Sequence, residues 1–134
     1  MSDTDAVLFA NEAFYQAFAN RDEPAMETVW SETAQVSCLH PGWGPLFGRD
    51  DVIDSWKAII RNSESPTSTC HDARTHVYHD TAYVICFEEI EGNFLVATNV
   101  FVRDGRVWKM VHHQAGPTSV RPQMETPGPA APIN

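Results

Sequence analysis

Among the side chains able to move, hold or direct protons, Tyr15, His40, Glu88, Asn99, His112 and Gln114 are the six whose positions could bring them to one face. An imidazole needs only a small environmental shift to change charge at neutral pH, and a carboxyl in apolar surroundings has its pKa pushed upward. Together they suit proton transfer next to a carbonyl or a hydroxyl. His112 is the foremost general base or acid, Glu88 would orient or charge-balance it, and His40 offers a second imidazole. Asn99 and Gln114 would donate hydrogen bonds to a developing oxyanion. Trp43, Trp56, Phe101 and Trp108 would form aromatic walls, with Tyr15 reaching in from the first helix. Each has a plainer reading as well, since inward histidines are more often hydrogen-bonded walls and tryptophans are core residues first.

These residues can meet only if the chain places them on one face. Val7, Ala10, Phe14, Ala17 and Phe18 recur at three- and four-residue steps, which predicts an amphipathic helix ending near Asn20. Asp22 and Pro24 open a short second helix through about Trp30. From Thr33 the period becomes two, putting Ala34, Val36, Cys38 and His40 on the buried side of a strand. Pro41-Gly42-Trp43-Gly44-Pro45 is a loop, and a third helix runs from about Asp50 to Asn62 with Val52, Trp56, Ile59 and Ile60 inward.

Four strands then form an antiparallel meander, roughly Thr67–His79, Ala82–Glu91, Phe94–Arg103 and Arg106–Ala115, broken at Asp80-Thr81, Gly92-Asn93 and Asp104-Gly105. Two-residue loops at those breaks set Glu88 opposite Ala97, Ala97 opposite His112, and Asn99 between Cys86 and Met110. Trp108, Met110, His112 and Gln114 then share the inner face with Ala73, Thr75 and Val77. Glu88 and His112 would lie two strands apart, roughly 10 Å at the backbone. A bulge near Asp104-Gly105 would swap the faces and put His113 inward instead. The middle strands are apolar on both faces: Tyr83, Ile85 and Phe87 on one, Val84, Cys86 and Ile90 on the other. Helices can cover one side, so the other is expected to pair with a second copy, sheet against sheet.

Composition narrows the function classes. The 134 residues fit one domain, expected over residues 1–117, with a Pro-rich extended or disordered tail at 118–134. Eighteen acidic against nine basic residues give a net charge of −9, which disfavours nucleic acid and anionic membranes as partners. The acidic N-terminus is unlike a signal peptide, and the three cysteines, an odd number without CxxC spacing, suit a cytoplasmic location. No HxH, HExxH or Cys/His cluster, Gly-rich phosphate loop or G-x-S-x-G turn is present, so neither metal nor cofactor is expected.

The order of elements, with Cys38-Leu39-His40-Pro41-Gly42-Trp43, Gly48-Arg49 leading to Ser55-Trp56, Asn99-Val100-Phe101-Val102-Arg103 and Trp108-Lys109-Met110-Val111-His112-His113-Gln114, resembles the SnoaL-like branch of the nuclear transport factor 2-like superfamily. The resemblance spans about residues 5 to 117. It implies an α+β fold in which a curved antiparallel sheet wraps around three N-terminal helices as a cone, with an apolar pocket at one end and a dimer through the sheet. That superfamily holds ketosteroid isomerases, scytalone dehydratase, polyketide cyclases and limonene epoxide hydrolase, but also association domains and transport factors that catalyse nothing. The isomerases' acidic base with its Tyr/Asp oxyanion pair has no clear counterpart here. Two expectations follow: a cofactor-free isomerase, cyclase or dehydratase acting on a small apolar molecule, or a non-catalytic ligand-binding or association module.

Overall fold

The computed structural model describes residues 1–123; the remainder of the tail expected at 118–134 lies outside the described residues. Helix α1 (Asp3–Ala19) starts where the Ser2 hydroxyl accepts from the Asp5 amide and stops at Asn20. Helix α2 (Glu23–Val29) is capped by the Asp22 carboxylate, which accepts from the Ala25 amide. Strand β1 (Ser37–Leu39) and the two-residue β2 (Leu46–Phe47) flank the Pro-Gly loop, and α3 (Arg49–Arg61) follows Gly48, whose φ of 92° is natural for glycine. The meander is β3 (Thr69–Tyr78), β4 (Thr81–Ile90), β5 (Asn93–Asp104) and β6 (Val107–Pro117).

The six strands form one curved, unclosed sheet in the order β2-β1-β6-β5-β4-β3, with the helices on its inner face. The sheet is not wholly antiparallel: β1 runs parallel to β6, pairing Ser37 with His112. β1 is also shorter than the alternation predicts, because the Ser31 hydroxyl captures the amides of Thr33 and Ala34 and holds them in a turn. The expected parity survives, with Val36, Cys38 and His40 buried.

The three hairpin loops are His79-Asp80, Glu91-Gly92 and Gly105-Arg106, each one residue away from its expected place. Sliding a two-residue loop by one residue changes each cross-strand partner by two, so the faces are kept. Among the described residues two bulges break the register, one in β3 between His71 and Arg74 and the other, which bears on the site, further along β6. Phe101 pairs with Met110 but Val100 with His112, leaving Val111 as the extra residue of a β-bulge. Beyond it the phase reverses: His113 and Ala115 are buried, while His112 is half-buried on the outer face and Gln114 is exposed. The expected inward placement of His112 and Gln114 is thus corrected by one inserted residue. The bulge falls where the far edge of β6 changes neighbour, from Ser31, which donates its amide to the Met110 carbonyl, to β1.

The core centres on Phe14, whose ring meets Tyr15, Trp30 and Trp56 edge-on at centroid distances of 4.8, 6.5 and 5.2 Å. Phe101 and Trp108, expected as cavity walls, are fully or nearly fully buried and are absent from the lining of the cavity that Glu88 faces. Arg49 joins the helical layer to the β1 side. Its guanidinium donates to the carbonyls of Glu27, Trp30 and Ser31 at 2.9, 2.8 and 3.1 Å. Arg49→Ala strands three carbonyls near the end of α2, so urea unfolding should show a loss of about 2 kcal/mol. Arg49→Lys should recover less than half of it, since an ammonium cannot span the fork.

Candidate functional site

A cavity of about 320 Å³ opens between α1, α3, the loop after β1 and the inner face of the sheet. Glu88 from β4, His113 from β6, His40 following β1, and Trp43 and Trp56 line it. Its outer lip includes Ser65 and Pro66, in a segment held by Arg21, which donates to the carbonyls of Ile60, Asn62 and Ser65. Trp43 is 49% exposed at the mouth and packs on the His40 ring at 4.7 Å.

Behind the cavity wall lies a polar network. The Tyr15 hydroxyl donates to Glu88 Oε2 at 2.6 Å and accepts from Asn99 Nδ2 at 3.1 Å. Asn99 Oδ1, which can only accept, takes a hydrogen bond of 2.6 Å from His113 Nδ1. A neutral His113 therefore carries its hydrogen on Nδ1, and its Nε2 lone pair lies 3.8 Å from Glu88 Oε2. Glu88 Oε1 has no hydrogen-bond partner among the described residues, leaving it the carboxyl oxygen available to a guest. On the other side, Ser55 Oγ spends its proton on the Val52 carbonyl at 2.7 Å, so His40 Nε2 is the donor in their 2.9 Å bond. That leaves Nδ1 of a neutral His40 without a proton.

Burial sets the charge of this site. It raises the Glu88 carboxyl above its usual range, partly offset by the Tyr15 hydrogen bond. Burial also pushes His113 down to about 3, aided by repulsion from His40 and His112, and His40 down to about 4. The tyrosine is held well above 10 by burial and then by Glu88. Although Glu88 and His113 are close enough to form an ion pair, charging both would strip water from two ions, and desolvation outweighs their attraction. None of the residues lining the cavity is Lys or Arg, and among the described residues no three His, Cys, Asp or Glu gather as metal ligands.

Of the residues expected from sequence, Glu88, His40, Trp43 and Trp56 line the cavity, and Tyr15 and Asn99 support it from behind. His112 instead bonds Ser37 Oγ through Nδ1 at 2.7 Å on the other face. His113, the alternative that a bulge would bring inward, takes its place, and two participants were not expected: Ser55 and Asn11, whose Oδ1 accepts from Asn99 Nδ2 at 2.8 Å. Asn11 sits on the apolar stripe between Val7 and Phe14, and a polar residue in a buried phase is a readable signal. Likewise Trp108 and Met110 are apolar in one phase and Ala115 in the other, which betrays a phase change between them.

An imidazole held below its unfolded value of 6.5 binds fewer protons in the fold, so its burial lowers stability as pH falls below about 6.5. The raised Glu88 carboxyl acts oppositely, keeping its proton in the fold above 4.5, where the unfolded chain has lost it. Unfolding free energy should therefore drop from pH 7 to pH 5, each imidazole contributing up to about 1.4 kcal/mol per pH unit. The drop should be steeper in Glu88→Gln, where the opposing group is gone; urea titrations at several pH values read both.

Residues 7–118 match the family profile described as the SnoaL-like domain. Among solved structures, a candidate dehydratase of the NTF2-like family from Streptomyces avermitilis is 34% identical, with a TM-score of 0.79 over 88% of this chain and 97% of that one. A candidate calcium/calmodulin-dependent protein kinase type II association domain from Thiobacillus denitrificans is 29% identical, with a TM-score of 0.73 over 82% and 93% of the two chains. Among curated proteins, the F-box protein SKIP8 of Arabidopsis thaliana is 30% identical over 115 residues, 84% of this chain and 49% of that protein. The chain spans about half the length of that curated relative. With its helices, its six-stranded sheet and most of its length accounted for in this way, the chain belongs to the SnoaL-like domain family, within the NTF2-like fold.

Proposed function

We propose that this protein catalyses proton transfer on a small, uncharged, largely apolar molecule, as an isomerase, cyclase or dehydratase that uses no metal or organic cofactor. The observation that carries this reading is a buried carboxyl and a buried, uncharged imidazole facing one cavity 3.8 Å apart, with no cation among the lining residues. Glu88 Oε1 takes or returns the proton of the substrate while Tyr15 steadies Oε2. His113 can accept a proton on its bare Nε2. In a dehydration Nε2 would take the proton from carbon while a protonated Glu88 gives its own to the departing oxygen, and the proton on Nε2 then returns to the carboxylate 3.8 Å away. His40 completes the polar wall. The likeness to a candidate dehydratase at 34% identity supports this class.

A second role, association, is favoured by the outer face of the sheet. Tyr83, Ile85, Phe87, Val96 and Val100 adjoin there across β4 and β5, and Ile85 and Val96 are 47% and 41% exposed. We propose that two copies join through this face. The likeness to an association domain at 29% identity agrees with it.

Catalysis is tested by incubating the protein in deuterium oxide with small cyclic ketones and β-hydroxy ketones and following deuterium uptake and water loss by mass spectrometry. Wild-type protein should exceed buffer, and Glu88→Gln should be slower by about 10²–10⁴-fold. No turnover of any compound above buffer would sink the proton-transfer reading and leave association. For the sheet face, sedimentation at micromolar concentration should give a dimer, and the double variant Ile85→Glu, Val96→Glu a folded monomer. A monomeric wild type would defeat the interface.

A further inference from the structure

We propose that Asn11, on α1, is a positioning residue of the site: acting through Asn99, it holds the neutral His113 ring in the tautomer whose hydrogen is on Nδ1. The proposal rests on the proton-transfer reading of Glu88 and His113, and it concerns a residue that touches neither the cavity nor the reacting groups.

The geometry points to it as follows. The Asn99 carboxamide has two N–H donors and one strong acceptor. Asn11 Oδ1 takes one donor at 2.8 Å and the Tyr15 oxygen takes the other at 3.1 Å, which turns Asn99 Oδ1 toward His113 Nδ1 at 2.6 Å. Were the amide turned over, its nitrogen would face His113 Nδ1, and the imidazole would carry its hydrogen on Nε2, the atom 3.8 Å from Glu88. The ring could then no longer accept a proton on the side that faces the carboxyl. Tyr15, whose one hydroxyl proton goes to Glu88 Oε2, can only accept from the amide, at 3.1 Å. Asn11 Oδ1 is the second acceptor and, at 2.8 Å, the closer of the two that together select this end of the amide. The Asn11 amide nitrogen reaches Cys70 Sγ at 3.7 Å, and Asn11 and Asn99 are 1% and 0% exposed, so water cannot substitute for either.

The test is the tautomer itself, read from the ¹⁵N shifts of the His113 ring in uniformly labelled protein at pH 7. Wild type should show a protonated Nδ1 and an unprotonated Nε2. Asn11→Leu keeps the shape and removes the acceptor, and should lower the ratio of the two tautomers by roughly tenfold, the worth of one buried hydrogen bond. Asn11→Asp keeps an acceptor there and should restore the wild-type pattern. A wild-type ring protonated on Nε2, or an Asn11→Leu ring that matches wild type in a protein with unchanged near-ultraviolet circular dichroism, overturns the proposal. If Asn11→Leu does not fold, Asn11→Ser with its smaller hydroxyl replaces it, with an intermediate ratio expected and an unchanged one overturning. Because none of these measurements needs turnover, an inactive protein would defeat the proton-transfer reading while the control of the His113 tautomer by Asn11 is still read separately.

Discussion

A polar group carried out of water into this core must find its partner inside, and the Asn99 amide is where that requirement is met for four elements together. It bonds Asn11 and Tyr15 on α1 and His113 on β6, and through Tyr15 it reaches Glu88 on β4. The apolar contacts around Phe14 are stronger in sum but indifferent to direction; a ring can be packed by sliding a helix along the sheet. Three hydrogen bonds with fixed donors and acceptors are not indifferent. They set where α1 stops along β4, β5 and β6, and they make the position of the carboxyl a consequence of how the first helix docks.

The same requirement explains which parts of the molecule could be read from the sequence. Helix ends were legible because capping is local: the Asp22 carboxylate accepts from the Ala25 amide, and the Asn20 amide donates to the Gln16 carbonyl one turn back. Strand faces were legible because alternation tolerates an error of one residue in a hairpin loop, and all three loops carried such an error without harm. The bulge at Val111 was not legible in place, because it depends on what lies along the other edge of β6, where Ser31 hands over to β1 across residues far away in sequence. Glu88, Asn99, Tyr15 and His40 precede or avoid that point and lie on the inner side, as the alternation predicts, though Asn99 and Tyr15 sit behind the cavity wall rather than in it. His112 and Gln114 follow it and were not. The phase change from Met110 to Ala115 was in the sequence, but two adjacent histidines made both registers chemically attractive.

Burial also decides what kind of molecule the cavity can receive. Burial holds His113 and His40 uncharged near neutrality and raises the Glu88 carboxyl above its usual range, so the wall carries no positive charge. A charged guest would surrender its hydration without meeting a lysine or arginine, and an anion would in addition approach a chain of net charge −9. An uncharged guest pays neither penalty and can still use Glu88 Oε1 and the Nε2 of His113. The chemistry open to such a pair is the relocation of a proton within one molecule, where the charge developed in the transition state is brief and the walls need not hold it in the ground state.

Catalysis and association need not compete, because β4 serves both faces. Its even positions, Val84, Cys86 and Glu88, point toward the helices, and its odd positions, Tyr83, Ile85 and Phe87, point away. A second copy seated on the outer face would hold from behind the strand that presents the carboxyl, just as Tyr15 holds that carboxyl from the front. The inward carboxyl is displaced by any twist of β4, and its hydrogen bond of 2.6 Å to Tyr15 leaves little slack for such a twist. A second copy on the outer face, as proposed, would therefore act on the cavity through one shared backbone. Such a coupling would need nothing beyond the alternation of a single strand, which sets Glu88 and Ile85 on opposite faces of the same backbone.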